Sequence, residues 1–182
     1  MITSVVQLIL QLSGHFLSLL TCVVIILLGR GAALIISKKA FDYLLDHMLD
    51  IHKRKVNIIM PYSMDYDKYM SMLNFFNSYI RRIGDFLDEA VVEDVACTAP
   101  FVTIGSFVYT EGLGLLDKAA YVILLPQDYK DRSENSQSPR FCNCVSPVAK
   151  ELLFKCGGDT ALIEENGIAK RCRINKIEYP ID

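Results

Sequence analysis

The segment from Val5 to Leu28, VVQLILQLSGHFLSLLTCVVIILL, carries no charged side chain. A run of this length limits the possible folds more than any other feature of the chain. As an α-helix it spans about 36 Å, enough to cross a hydrocarbon layer with some tilt. Gln7, Gln11 and His15 interrupt its first half, while Phe16 to Leu28 is cleaner. A secretory signal peptide would need a basic start, but no Lys or Arg precedes Arg30, and Leu28-Gly29-Arg30 is a poor cleavage site. A buried helix of a soluble domain would be shorter or would show a polar face. The segment therefore predicts a membrane-spanning helix within residues 1–28. Arg30, Lys38, Lys39, Lys53, Arg54 and Lys55 all follow it. The positive-inside rule then predicts a single-pass membrane protein with a cytoplasmic C-terminal domain.

The remaining length of the 182-residue chain suits one domain. The formal charge of −2 and the lack of a basic stripe with interleaved aromatics argue against a nucleic-acid partner. Six cysteines stand at irregular spacing, unlike a disulfide framework, and read as reduced thiols. Between Ala32 and Lys55, Leu34, Phe41, Leu44, Leu45, Met48 and Leu49 recur at helical spacing, with Asp42, Asp46 and Asp50 on another face. Residues 29–54 are expected to form a juxtamembrane helix, and residues 55–182 the folded cytosolic domain.

Within that domain, Val56 to Met60 reads as a strand buried on both faces, and Ser63 or Asp65 as the cap of a helix. Tyr66, Tyr69, Met70, Leu73, Phe76, Asn77, Ile80 and Ile83 then follow helical spacing, with Lys68, Asn74, Ser78 and Arg82 off the stripe and an end near Gly84. Phe76 is expected in the core. Val91 to Cys97 reads as a weaker strand and Thr103 to Asp117 as a helix, despite Gly105, Gly112 and Gly114. Tyr121 to Leu125 is a second apolar strand, ended by Pro126. A polar loop to Arg140 follows, then a helix over Pro147 to Cys156 and an edge strand over Arg171 to Ile177. Strands alternating with helices predict an α/β fold: a flavodoxin-like three-layer domain with a mostly parallel sheet behind the N-terminal transmembrane helix. Ligands on such sheets sit beyond the carboxyl ends of the strands, which here would be Tyr62-Ser63, Ala99-Pro100 and Pro126-Gln127.

Lys55, Val56, Ile58, Tyr62 and Ser63, the helix face Leu73, Phe76 and Ile80, and the run from Gly114 to Leu125 together resemble the SEFIR domain, a relative of the TIR domain. SEFIR domains form the cytoplasmic part of interleukin-17 receptors and of their adaptor. The resemblance spans about residues 55–177 and implies a TIR-like domain. It also implies a membrane-tethered receptor module in signal transduction, recruiting a SEFIR-containing adaptor or receptor chain by protein–protein interaction as a homo- or hetero-oligomer. The family's contact region after the third strand matches Gln127, Asp128, Lys130, Asp131, Arg132, Glu134 and, on the following helix, Lys150. The mixed charges on that loop suit solvated, complementary pairing. The face with Lys68, Asn74, Arg81 and Arg82 is the competing contact surface.

Chemistry for catalysis is sparse, and neither an enzyme nor a cofactor is expected. Some TIR relatives cleave a nicotinamide dinucleotide with a glutamate, but Glu134 and Glu151 lack that setting. Gly112-x-Gly114 is not a strand-to-helix phosphate turn. The histidines, His15, His47 and His52, all precede the domain. The alternative function is a membrane-anchored nucleotide hydrolase or glycohydrolase of the same fold. Cys142, Cys144, Cys156 and Cys172 could form a four-thiolate zinc site, yet paired Cys-x-x-Cys knuckles are absent, and core or surface thiols are the better reading. Tyr62, Tyr66 and Tyr69 read as packing residues rather than modification sites.

Overall fold

Ser37 opens a long helix: its hydroxyl accepts the Ala40 amide hydrogen at 3.2 Å, the N-cap arrangement. In the computed structural model, which describes residues 35–96, 98–112, 118–130, 139–165 and 167–180, this helix, α1, runs from Lys38 to Ile59. The apolar segment at residues 5–28 lies outside the described residues. Ala40, Leu44, Ile51, Ile58 and Ile59 are the buried residues of α1, and Leu44, Ile51 and Ile58 repeat every seven positions along one face.

That stripe corrects the first expected strand. Val56 to Met60 is rich in β-branched residues, but Ile58 extends the Leu44–Ile51 stripe, and a short apolar run cannot separate strand from helix by periodicity alone. The boundary expected at 54/55 falls inside α1. Pro61, which has no amide hydrogen, sits in a short 3-10 turn over Met60–Tyr62 where the helix stops. Asp65 then caps α2 (Tyr66–Glu89), its carboxylate accepting the Lys68 amide hydrogen at 3.1 Å. Met72, Phe76, Tyr79, Ile83 and Leu87 are the buried residues of α2. The helix continues past Gly84, where a Cβ would meet the Met48 sulfur at 3.7 Å. The glycine faces α1 at ordinary van der Waals distance and does not end α2. Lys55 reaches Asn77 near the turn, and His47 reaches Tyr79 further down, so the two helices form an antiparallel hairpin.

β1 (Ile35–Ser37) and β2 (Val91–Glu93) make a small two-stranded sheet. The main sheet contains β3 (Phe107–Gly112), β4 (Lys118–Leu124), β5 (Arg140–Asn143), β6 (Thr160–Glu165) and β7 (Ile168–Glu178), in the order β5-β4-β3-β7-β6. β3 runs antiparallel to both β4 and β7, and β6 antiparallel to β7. The pair β4–β5 is parallel and is reached through α3 (Pro126–Lys130); α4 (Pro147–Leu152) follows β5.

The flavodoxin-like and TIR-like fold class is thereby corrected to a mixed, largely antiparallel sheet preceded by a helical hairpin. The long helices come before the main sheet and do not cross between its strands; parallel pairing needs such crossovers, and only β4 to β5 has one. The helix expected over Thr103 to Asp117 holds β3 instead. Val108 and Thr110 are buried while Tyr109 is exposed, a period of two. β7 is not an edge strand, since β3 and β6 flank it. From Ile36 onward the chain is one compact unit. Leu44, Ile51, Phe76 and Ile83 of the hairpin share one apolar core with Val108, Ile123, Leu152 and Ile174. Among the described residues, no helix is long and apolar enough to cross a membrane.

Candidate functional site

Asp42, Asp46 and Asp50 stand one helical turn apart on α1. With Tyr43, His47, Ile51 and Arg54 they form one wall of a cleft of about 550 Å³. The facing wall is Ile104, Gly105, Ile123 to Leu125, Asp128 and Pro180. The cleft has an apolar floor and an acidic rim. Arg54 bridges the rim, at 3.4 Å from Asp50 and 3.5 Å from Asp128. Lys38 lies 3.4 Å from Asp42. These pairs are substantially exposed and contribute little to stability. Among the described residues, no group of three or more His, Cys, Asp or Glu is arranged to hold a metal ion.

A buried polar hub closes the floor. Tyr79, 2% exposed, accepts the Ile104 amide hydrogen on its hydroxyl at 2.9 Å, and that hydroxyl lies 2.8 Å from His47 Nε2. With the Ile104 hydrogen already accepted, the phenol proton is directed to Nε2, and a neutral imidazole is the state that can receive it. Burial pushes the His47 pKa down to about 4, against a smaller upward pull from Asp50. Burial raises Tyr79 well above the ordinary phenol range. Tyr43 stacks on Tyr179 at 4.3 Å and on His47 at 5.7 Å, and the Tyr179 hydroxyl donates to the Phe101 carbonyl at 2.8 Å. The 103–106 turn is pinned from within. The Thr103 amide donates to Ser106 Oγ at 2.9 Å, and Gly105, at φ +93°, donates its amide hydrogen to the Ile123 carbonyl at 2.7 Å. A φ in that region favours glycine. No buried side-chain nitrogen or oxygen among the described residues lacks a partner. The hydrogen bonds of the hub hold α1, α2 and the 103–106 turn together.

The far end of the hairpin has the opposite character. Val56 is 58% exposed, Met60 64%, Met64 98% and Tyr66 73%, so Tyr66 is not a packing residue there. The expected motif is dispersed around this end. Lys55, Val56 and Ile58 are helical, and Lys55 Nζ donates to Asn77 Oδ1 at 2.8 Å. Tyr62 ends the 3-10 turn and Ser63 follows it.

The structure also relocates the loop residues. Gln127 donates to the Asn57 carbonyl at 3.1 Å and Asp128 pairs with Arg54, so both face α1 as part of α3. Lys130 ends α3. Asp131, Arg132 and Glu134 lie outside the described residues. Lys150 is on α4, at a separate small cleft. None of Cys142, Cys144, Cys156 and Cys172 is joined in a disulfide, and burial pushes Cys144 up to about 12. Sequence reasoning passed over His47, Tyr43 and the 103–106 turn. The one available signal was His47 on the same helix as the apolar stripe, where a histidine needs a buried partner.

No protein-family model matches the chain, and no curated protein does. Solved structures with related geometry are a GreA factor homolog, Gfh1, of Thermus thermophilus (16% identity, 80% of this chain and 99% of that chain, TM-score 0.39); the Gfh1 of Thermus aquaticus (16%, 81% and 99%, 0.38); and the transcription elongation factor GreA/GreB of Nitrosomonas europaea (17%, 80% and 99%, 0.42). The resemblance to SEFIR and TIR domains is corrected by the sheet topology, which is largely antiparallel, and no family model supports it. With it fall the interleukin-17 receptor function, the membrane-anchored enzyme of that fold, and the SEFIR and membrane partners. The expected exclusion of nucleic acid is likewise not carried forward. The single-pass membrane placement is corrected too: it rested on residues 5–28 and on the receptor resemblance, and no helix among the described residues can cross a membrane.

Proposed function

We propose that this chain is a non-catalytic binding protein that meets a macromolecular partner through the end of its helical hairpin. The carrying observation is the exposed apolar set Val56, Met60, Met64 and Tyr66 around one turn. Single exposed apolar residues are ordinary, but a cluster of this kind marks an interaction site. Methionine suits such a contact, because its unbranched, polarisable side chain adapts to irregular surfaces. The polar hub midway along the hairpin supplies rigidity, so the hairpin end is presented on a firm base. His47 is engaged with Tyr79, and Cys144 is held as a thiol by burial; neither is primed for catalysis.

The partner class to test first is the transcription elongation machinery, which the titles of the compared structures name. A likeness at TM-scores of 0.38–0.42 adds no weight of its own, and the reading rests on the hairpin end. Binding of the full chain to a purified transcription elongation complex tests it. Wild type is expected to bind saturably, and Met64→Glu/Tyr66→Glu at least tenfold more weakly with an unchanged melting temperature. Equal binding by the folded variant would place the contact elsewhere. No binding by wild type would exclude this partner class.

A further inference from the structure

A second cleft, of about 280 Å³, lies between α2 and the chain leaving α4, lined by Phe75, Ser78, Tyr79, Arg82, Lys150, Leu153 and Phe154. Its chemistry is the reverse of the acidic cleft on α1. Two cations line it and no carboxylate does. Neither Arg82 nor Lys150 has an acidic partner among the described residues. The Arg82 guanidinium carbon stands 3.9 Å above the centre of the Phe154 ring. That stacking fixes the plane of the guanidinium and leaves its N–H edges free to receive an anion in a forked geometry.

Phe154 is itself held in place at a conformational cost. It is the non-glycine residue with a positive φ, 65°, among the described residues, a region that bulky side chains seldom occupy. Its backbone is clamped to the segment beside it: the Phe154 amide donates to the Val102 carbonyl, and the Val102 amide to the Lys155 carbonyl, both at 2.9 Å. The ring is seated 5.2 Å from Tyr79 and 5.5 Å from Phe101. Strain of this kind persists where the surroundings over-determine it, and it gathers at binding sites. Here it sets the ring on which Arg82 rests.

We propose that this cleft binds a small phosphate monoester with an aromatic ester group. A monoester carries a charge between −1.5 and −2 near neutral pH, which Arg82 and Lys150 together balance. The Ser78 hydroxyl adds a donor, and Phe75 with Leu153 offers the apolar wall for the ester group. Recognition does not depend on the hairpin end, so it stands or falls separately from the binding function above.

Titration of the full chain with phenyl phosphate, inorganic phosphate and phenol, followed calorimetrically, tests the proposal. Phenyl phosphate is expected to bind most tightly, inorganic phosphate at least fivefold more weakly, and phenol not at all. Arg82→Gln and Lys150→Gln should each weaken phenyl phosphate at least fivefold. Both side chains lie at the surface, so folding should survive, as circular dichroism would verify. Affinity should fall as salt rises, through screening of exposed charges. Undiminished binding by both variants, phenol binding as well as phenyl phosphate, equal affinity for inorganic phosphate, or no saturable binding of phenyl phosphate would each overturn it.

Discussion

The turn of the helical hairpin and its base, the hub midway along the two helices, invert the usual distribution of residues. At the base, polar groups are hidden: Tyr79, Thr103 and Ser106 are buried, and each is hydrogen-bonded. At the turn, apolar groups are displayed, with Met64 98% exposed. A buried polar group is costly unless it is paired, and once paired it fixes one geometry. An exposed apolar group does nothing for folding. The base is therefore built to hold and the turn is free to touch. Substitutions at the base should change stability and leave surface chemistry alone, while substitutions at the turn should do the reverse.

The largest effect is expected between hub and turn, at Phe76, which is fully buried. Its ring packs edge-on against Phe75 at 5.1 Å, within the core shared by hairpin and sheet. Phe76→Ala should cost about 3–5 kcal/mol of unfolding free energy, measured by denaturant titration. A loss well under that range would mean the hairpin and the sheet do not share a core.

At the base, His47 gives a pH signature. Its folded pKa of about 4 lies below the ordinary value of 6.5, so the unfolded chain binds the extra proton first as pH falls. Stability from this group is complete above about pH 6.5 and is lost progressively down to about pH 4, in total about 3 kcal/mol. Asp50 is the charged neighbour that opposes the shift. His47→Gln should flatten the slope between pH 6.5 and 5, where few carboxylates titrate. An unchanged slope in that variant would show that His47 is not the group responsible.

Tyr79→Phe isolates the hydrogen bonds of the hub from its packing. The ring remains, but the Ile104 amide loses its acceptor and His47 its partner. A buried donor left unpaired costs about 1–3 kcal/mol. Thermal unfolding should show that loss together with a raised His47 pKa by NMR titration. A neutral substitution would mean that water reaches the Ile104 amide.

The same contrast explains what could be read in the chain beforehand. α2 was legible because a capping aspartate precedes a long stripe through Phe76 and Ile83, and β4 because Tyr121 to Leu125 is an apolar run ended by Pro126. Its true stripe is rotated toward Met72, Tyr79 and Leu87, since tyrosine tolerates either side of a helix. Val56 to Ile59 misled because local strand preference was overridden by the sevenfold repeat of Leu44, Ile51 and Ile58. β3 misled because its alternation is short and bracketed by glycines. The hub joins residues 43, 47, 79, 104 and 179, and no local pattern announces a partnership across such separations.

The smallest effect on stability should come from the turn. Met64→Ser removes a side chain that is 98% exposed and lies between the two helices, after the Pro61 stop and before the Asp65 cap. Neither helix terminus uses the Met64 side chain, and the backbone links of the turn, Ser63 amide to Met60 carbonyl at 3.0 Å and Asp65 amide to Tyr62 carbonyl at 2.9 Å, do not involve it. Surface changes away from such features fall within about 0.5 kcal/mol. The unfolding midpoint of Met64→Ser should match wild type within that margin, in the same titration that reports the loss for Phe76→Ala. A destabilisation above about 1 kcal/mol would show that Met64 is covered within the folded chain. The turn would then belong with the base as a structural element, and the apolar display that distinguishes the two ends would be gone.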